Sequence, residues 1–308
     1  MQFNGKDVLI VGASGFLGST LVERLASSGK RLHLLARHHT VKDRAHAKII
    51  TGSLDDVDLL KEILPHCGTI IHTASATTPG SSARSPVIEG ESNILPTLRF
   101  LEMLQDFSNV HLIYLSSGGA TYGNHANSPV NENQPLSPTS YHGAGKAAIE
   151  AFLNVRNRAG GQVTVLRPSN LYGPGQRFRP GFGIIRTMLE HAMRGTALEI
   201  WGDGENVRDF VYIDDMADVC MRFIDKKTDS GTYNVCSGES YTINQLCDVV
   251  RQACETDLNV TFKPRRDVDA RVVALDGARL ATKLRWKPKI TLEDGIRLTW
   301  QWLKNQKN

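Results

Sequence analysis

No stretch of this 308-residue chain approaches the length of apolar sequence that a membrane span needs. The segment from Met1 to Val11 is too short for a secretory leader and too charged around Lys6-Asp7, so no leader and no membrane association are expected. Cys-x-x-C pairs are lacking as well. The five cysteines, Cys67, Cys220, Cys236, Cys247 and Cys254, are an odd number, and free thiols in a reducing cytoplasm are the expected state. None of the ten histidines stands at metal-ligand spacing, so no metal is expected. The formal charge is only +4 and no long Lys/Arg run occurs, which argues against nucleic acid as a partner. Internal repeats, low-complexity segments and obvious flexible linkers are absent. The composition that remains, 41% hydrophobic and 22% charged, is that of a globular protein long enough for one or two domains.

The most informative stretch present is Gly12-Ala13-Ser14-Gly15-Phe16-Leu17-Gly18. It follows the apolar run Val8-Leu9-Ile10-Val11 and precedes Ser19–Leu25, whose Leu and Val spacing is helical. A strand, a glycine-rich turn and a helix N-terminus together make a phosphate-binding device. Glycines let the backbone approach a pyrophosphate, and the free N–H groups and dipole of the helix favour an anion. A bare glycine pattern is weak evidence, but this context points to a dinucleotide.

Short apolar runs alternate with helical patterns through the first half. Strands are expected at 7–11, 31–36, 47–51, 69–73, 110–115 and 163–167, and helices near 16–28, 55–64, 92–106 and 143–159. That alternation predicts an α/β fold: a Rossmann-type doubly wound parallel sheet, with 110–115 and 163–167 buried on both faces. After Arg167-Pro168 the texture changes, with Gly, Pro and aromatic residues dense over 172–183. We therefore expect a dinucleotide-binding domain over 1–168, with a later segment near 203–235 returning to it. A smaller, discontinuous C-terminal lobe over 169–308 is expected to bind substrate.

Further segments complete a pattern: His72-Thr73-Ala74, Asn93, Leu115–Gly123, Tyr141–Lys146, Leu166–Gln176, Gly202-Asp203-Gly204 and Arg208–Asp215. Their order and spacing resemble the extended short-chain dehydrogenase/reductase superfamily, in particular the NAD-dependent epimerase/dehydratase branch typified by UDP-glucose 4-epimerase. The resemblance runs from about residue 6 to about residue 300, and it is more specific for the superfamily than for substrate or reaction. It implies that Gly12, Gly15, Phe16, Leu17 and Gly18 hold a nicotinamide dinucleotide, with Ser53 and Leu54 near its adenine and Lys146 and Pro168 also at the cofactor. It implies that Asn170 and Arg208 contact the diphosphate of a UDP-sugar or related nucleotide-sugar, and that Arg266 and Asp269 hold phosphate and ribose. Arginine offers a planar fork suited to phosphate oxygens. Taken alone, Arg208-Asp209 would read as a surface ion pair. The resemblance also implies a homodimer built on the helices near 92–106 and 143–159, where Leu95, Leu98, Leu101, Phe152 and Val155 read equally as core residues.

Strand two ends in Ala36-Arg37-His38-His39, where NAD-specific sites usually carry Asp or Glu for the ribose 2′-hydroxyl. Without that carboxylate, and with Arg37 able to pair with a 2′-phosphate, NADP is the expected cofactor and NAD the alternative.

Two departures bear on the chemistry. In the related enzymes a tyrosinate takes the proton of a sugar hydroxyl, and a lysine four residues later lowers the tyrosine pKa and holds the nicotinamide ribose. Here Lys146 lies five residues after Tyr141 and four after His142. Five residues turn Tyr141 roughly 140° from Lys146 on an ideal helix. Gly118 also stands where the family usually has Ser or Thr, counted from Tyr122-Gly123, although Ser116 and Ser117 lie nearby. Three readings stay open: His142 is the general base, with neutral imidazole favoured beside Lys146; helix distortion brings Tyr141 into place; or the chain binds cofactor and nucleotide-sugar with little catalysis. His142, Tyr141, Lys146 and Ser117 are the candidate catalytic residues. The expected activity is epimerisation at C4 of a UDP-hexose through a 4-keto intermediate, the alternative enzyme reading being an NADPH-dependent reductase of a 4-keto nucleotide-sugar. The loops at 77–90 and 174–183 are expected to shape the sugar pocket, the first being Ser-, Pro- and Gly-rich and mobile when empty.

Overall fold

The structure is a computed structural model that describes residues 6–38, 44, 46–124, 128–226, 230–265 and 270–306. The chain divides into two compact units. The first comprises Met1–Ser117, Ser140–Arg167 and Ala217–Tyr233; the second comprises Gly118–Thr139, Pro168–Met216 and Asn234–Asn308. The boundaries thus differ from the expected ones. Pro168 falls in the second unit. Residues 118–139 belong to the second unit, and the segment that returns to the first is shorter than 203–235.

The first unit is built on a sheet whose strands are β1 (Asp7–Val11), β2 (Leu32–Ala36), β3 (Ala47–Thr51), β4 (Cys67–His72), β5 (His111–Leu115) and β6 (Gln162–Pro168). The strand Gly231–Val235 adds a seventh, giving the order Gly231–Val235, β6, β5, β4, β1, β2, β3. The pairs β1–β2, β2–β3, β1–β4, β4–β5 and β5–β6 are all parallel. Parallel strands covered by helices bury both faces, so every residue of β1, β4 and β5 is buried. The order reverses between β1 and β4, the switch point at which open α/β sheets leave a crevice beyond the strand C-termini.

The covering helices are α1 (Phe16–Ala26), α2 (Val57–Ile63), α3 (Pro86–Glu89), α4 (Leu95–Met103) and, after the single turn α5 (Gly118–Thr121) of the second unit, the long α6 (Tyr141–Arg158). Leu9, Val11, Leu35, Ile70, Phe100, Tyr114, Ile149 and Leu153 form a core between sheet and helices. The helix expected at 92–106 begins earlier. α3 runs through a π-helical stretch, Gly90–Ile94, into α4. Pro96 has no N–H to donate, and the widened turn ahead of it, where Leu95 N–H reaches Gly90 O, accommodates that loss. α6 starts two residues before the expected 143 because Ser140 caps it, its Oγ accepting from Gly143 N at 3.1 Å.

The second unit contains β7 (Asn170–Tyr172), β8 (Leu198–Trp201), β9 (Val207–Tyr212) and the strands Ser240–Thr242, Val260–Lys263 and Val272–Val273. β9 is the hub: Ser240–Thr242 pairs with it antiparallel, β7 and Val272–Val273 parallel. Helices Ile184–Arg194, Ile243–Cys254 and Leu292–Gln306 pack Ile185, Met188, Leu189, Leu246, Val250 and Ile296 into a separate core.

Candidate functional site

The glycine turn has the geometry of an anion cradle. Gly12 adopts φ +84°, and a Cβ there would lie 2.8 Å from the backbone of Ala74, at the start of the loop after β4. A Cβ on Gly18 would come within 2.1 Å of Gly12 O, so only glycine lets α1 pack this closely. Gly15 is the N-cap of α1 and offers no side chain to its first-turn N–H groups. Those donors have no intrahelical acceptors, and the dipole adds positive character. The cradle therefore fits a dinucleotide pyrophosphate. Phe16 is half-buried beside it, while Leu17 is buried in the core and offers only its backbone.

At the end of β2 Ala36 is buried and Arg37 is exposed. Ser53 donates its hydroxyl to Asp55 Oδ1 at 2.5 Å, so this hydroxyl is engaged within its own turn, and Leu54 beside it is buried. His39 lies outside the described residues.

The head of α6 brings His142 and Lys146 onto one buried face, at 9% and 7% exposure, and leaves Tyr141 44% exposed. The helix is regular from Tyr141 onward, without the distortion that would turn Tyr141 toward Lys146. Lys146 donates from Nζ to Leu115 O at 2.7 Å and stands over the Tyr114 ring, 4.8 Å from its centre. Burial brings its pKa down to about 8, against the pull of Glu89 and Glu150. His142 is held at about 4 by burial first and by Lys146 second, so its ring is neutral at pH 7. Its Nδ1 lies 3.0 Å from Thr77 Oγ1 and 4.0 Å from Glu89 Oε2. Thr77 donates to Glu89, and Asn93 donates from Nδ2 to both Thr77 Oγ1 and Glu89 Oε1 at 3.0 Å.

Ser116 and Ser117 diverge. Ser116 is buried and donates to Glu150, which also accepts from Arg167; Ser117 is half-buried at the end of β5. His72, at the end of β4, is 4% exposed, lies edge-on to Tyr114 and Phe100, and is pushed down to about 3 by burial and by Lys146.

Sequence reasoning missed Thr77 and Glu89. The loop 77–90 that carries them is partly helical, and Thr77, Ser82 and Glu89 are buried. The available signal was the four-residue spacing of Glu89 and Asn93; what they face is set by tertiary packing.

In the second unit Asn170 opens β7 and donates from Nδ2 to Asp209 O at 2.9 Å. Arg208, half-buried on β9, donates to Val207 O at 2.8 Å. Asp209 is no surface partner for it: the carboxylate is 1% exposed and accepts from Ser169 Oγ, Ser237 N and Oγ, and Gly238 N. Burial raises its pKa against those hydrogen bonds. Pro168, also buried, precedes this cluster. Arg266 and Asp269 lie outside the described residues. Among the residues named for pairing of two copies, Leu95, Phe152 and Val155 are exposed at 43%, 48% and 66%, while Leu101 is in the core and Leu98 packs against it. All five cysteines are free and buried, and no helix among the described residues is long and apolar enough to cross a membrane.

Comparison with known proteins bears on the family and the fold. The chain is 30% identical over 314 residues to a UDP-glucose 4-epimerase of Mycolicibacterium smegmatis, covering 97% of this chain and 98% of that one. It superimposes with a TM-score of 0.90 on the crystal structure of Thermotoga maritima UDP-glucose 4-epimerase with UDP-glucose, at 29% identity, covering 98% and 100% of the two chains. A Thermus thermophilus UDP-glucose 4-epimerase in complex with NAD matches with a TM-score of 0.88 and 29% identity, covering 97% and 99%. Residues 8–236 match the model of one family. With its glycine cradle, parallel sheet and buried lysine, the chain belongs to the NAD-dependent epimerase/dehydratase family.

Proposed function

We propose that the chain is a UDP-hexose 4-epimerase that works through a 4-keto intermediate, with His142 as the proton acceptor. The observation that carries this reading is the pairing of His142 and Lys146 on one buried face of α6 with the imidazole neutral near pH 7. A bound nicotinamide cofactor supplies reversible two-electron oxidation of the C4 alcohol. The protein's own residues do the rest. Gly12, Gly15 and Gly18 open the backbone cradle at α1 for the pyrophosphate, flanked by Phe16 and Leu17. Lys146 holds the nicotinamide ribose, Pro168 is assigned to the cofactor by resemblance, and burial first and the lysine charge second keep the imidazole neutral. His142 accepts the C4 hydroxyl proton and returns it. Ser117 is the candidate hydroxyl partner to the sugar. Asn170 and Arg208 take the diphosphate, and Arg266 and Asp269 enter by resemblance alone.

NADP is the proposed dinucleotide. Exposed Arg37 follows a strand end without a carboxylate, and Ser53 and Leu54 add none. Arg37 also favours a second reading, an NADPH-dependent reductase of a 4-keto nucleotide-sugar, which would consume cofactor stoichiometrically. Two copies are proposed to pair through Leu95, Phe152 and Val155, with exposed Val87 and Ile88 extending that apolar surface. Free buried thiols support a cytoplasmic location.

The test is time-resolved proton NMR of the protein with UDP-glucose, UDP-galactose and their N-acetylated forms, with NAD and NADP supplied separately. New anomeric signals from the C4 epimer, appearing with NADP, are expected. Turnover only with a 4-keto sugar and with net loss of NADPH would replace epimerisation by reduction. No conversion of any sugar would leave a protein that binds without catalysing.

A further inference from the structure

Thr77 Oγ1 carries one hydrogen and touches three groups: Glu89 Oε2, Asn93 Nδ2 at 3.0 Å and His142 Nδ1 at 3.0 Å. The orientation of the Asn93 amide is set, because its Oδ1 accepts from Ala76 N at 2.8 Å and its Nδ2 also donates to Glu89 Oε1 at 3.0 Å. A carboxylate accepts and an amide N–H donates. The single Thr77 hydrogen therefore goes to Glu89, and one lone pair of its oxygen is taken by Asn93. Only the other lone pair is left for His142, whose Nδ1 must then carry the hydrogen. In a neutral ring this leaves Nε2 as the one nitrogen able to accept a proton.

We infer that Glu89 and Thr77 are positioning residues for His142, a buried carboxylate–hydroxyl–imidazole relay that presents Nε2 as the base. This deepens the reading of His142 as proton acceptor and rests on it for its catalytic meaning. The electrostatic logic follows from the exchange of residue type. A tyrosine base becomes an anion and gains from a lysine nearby, whereas a histidine base becomes a cation and is opposed by the same lysine. A histidine beside Lys146 therefore needs a negative partner. Glu89 supplies it, 3% exposed and 4.0 Å from Nδ1. When Nε2 accepts the substrate proton the ring becomes an imidazolium. Nδ1–H continues to donate to Thr77, whose hydroxyl continues to donate to Glu89, so no proton leaves the ring and the carboxylate offsets its charge.

Gly145 adds a separate observation. It lies between His142 and Lys146 on α6, where glycine costs a helix about 1 kcal/mol against alanine. A Cβ there would lie 2.3 Å from Glu89 Oε1 and 2.7 Å from its Cγ. The helix gives up a side chain at the point where the carboxylate of α3 has to fit.

The test is nitrogen-15 NMR of histidine-labelled protein at pH 7, with the His142 signals assigned by their loss in His142→Asn. The expected result is a wild-type ring protonated at Nδ1 and bare at Nε2. Thr77→Val should convert this to a mixture of tautomers and lower kcat roughly tenfold with KM little changed, the scale of one orienting hydrogen bond. Thr77→Ser should restore both. A wild-type ring bare at Nδ1, or an unchanged tautomer in Thr77→Val, would overturn the relay. The tautomer is read without turnover: an Nδ1–H ring in a protein that converts no sugar would keep the relay and remove the epimerase reading, and the opposite ring in an active epimerase would do the reverse.

Discussion

Two buried carboxylates act on Lys146, and they are held in opposite ways. Glu150, 2% exposed, is neutralised where it stands: Arg167 donates from Nε to both of its oxygens at 3.0 and 3.1 Å and from Nη2 at 2.5 Å, and Ser116 donates as well. Glu89, 3% exposed, has hydrogen bonds among the described residues only from the neutral groups of Thr77 and Asn93. Both raise the pKa of Lys146 against burial, Glu89 more than Glu150. The carboxylate paired with arginine is tied into the fold, while the one without an arginine lies 4.0 Å from His142 Nδ1. The residue types are alike, and the counter-ion decides the role.

The largest effect should come from breaking the Glu150 side. Arg167→Met leaves a buried carboxylate unpaired and should cost roughly 3–5 kcal/mol of stability, read by denaturant unfolding. The His142 tautomer should not change. Equal damage to the tautomer would merge the two carboxylates into one network.

Acid should act next, through the neutral histidines near Lys146. His142 and His72 have folded pKa values of about 4 and about 3, below the ordinary 6.5. Between those values the unfolded chain binds more protons, so stability is intact above pH 6.5 and falls as pH drops. Each group should remove on the order of 2 kcal/mol by pH 5, as thermal melts across pH would show. Activity that needs a neutral His142 should stay level down to about pH 5, where an ordinary histidine would already be protonated. A rate falling with an ordinary pKa near 6.5 would mean that His142 is open to solvent rather than buried on α6.

The smallest effect on stability belongs to Gly145→Ala. Crowding Glu89 costs about 1–3 kcal/mol, and the helix regains about 1 kcal/mol, so the net loss should be near 1 kcal/mol. The tautomer should nevertheless shift as it does in Thr77→Val. A stabilised variant with an unchanged ring would show that Glu89 has room to move without consequence.

These predictions draw on parts of the molecule that were unequally legible in the sequence. The strands from Asp7–Val11 to Gln162–Pro168 lie within one or two residues of their expected limits, since continuous apolar runs between glycine-rich turns have few other uses in a parallel sheet. The register of His142 with Lys146 was equally readable, because helical spacing is local. Glu89 and Thr77 were not, since their meaning depends on a π-helical turn and on a glycine of another helix. Asp209 shows the same limit: beside Arg208 it reads as half of an ion pair, yet packing buries it and turns it toward Ser169 and Ser237.

The measurement that bears most directly on the account is the rate of C4 epimerisation by His142→Ala and Tyr141→Phe under the same conditions. Loss of a positioned acid–base group costs roughly 10²–10⁴-fold, and that loss is predicted for His142→Ala, with Tyr141→Phe within about twofold of the parent. The reverse result, a crippled Tyr141→Phe and an active His142→Ala, would contradict the account and return the proton to the tyrosine.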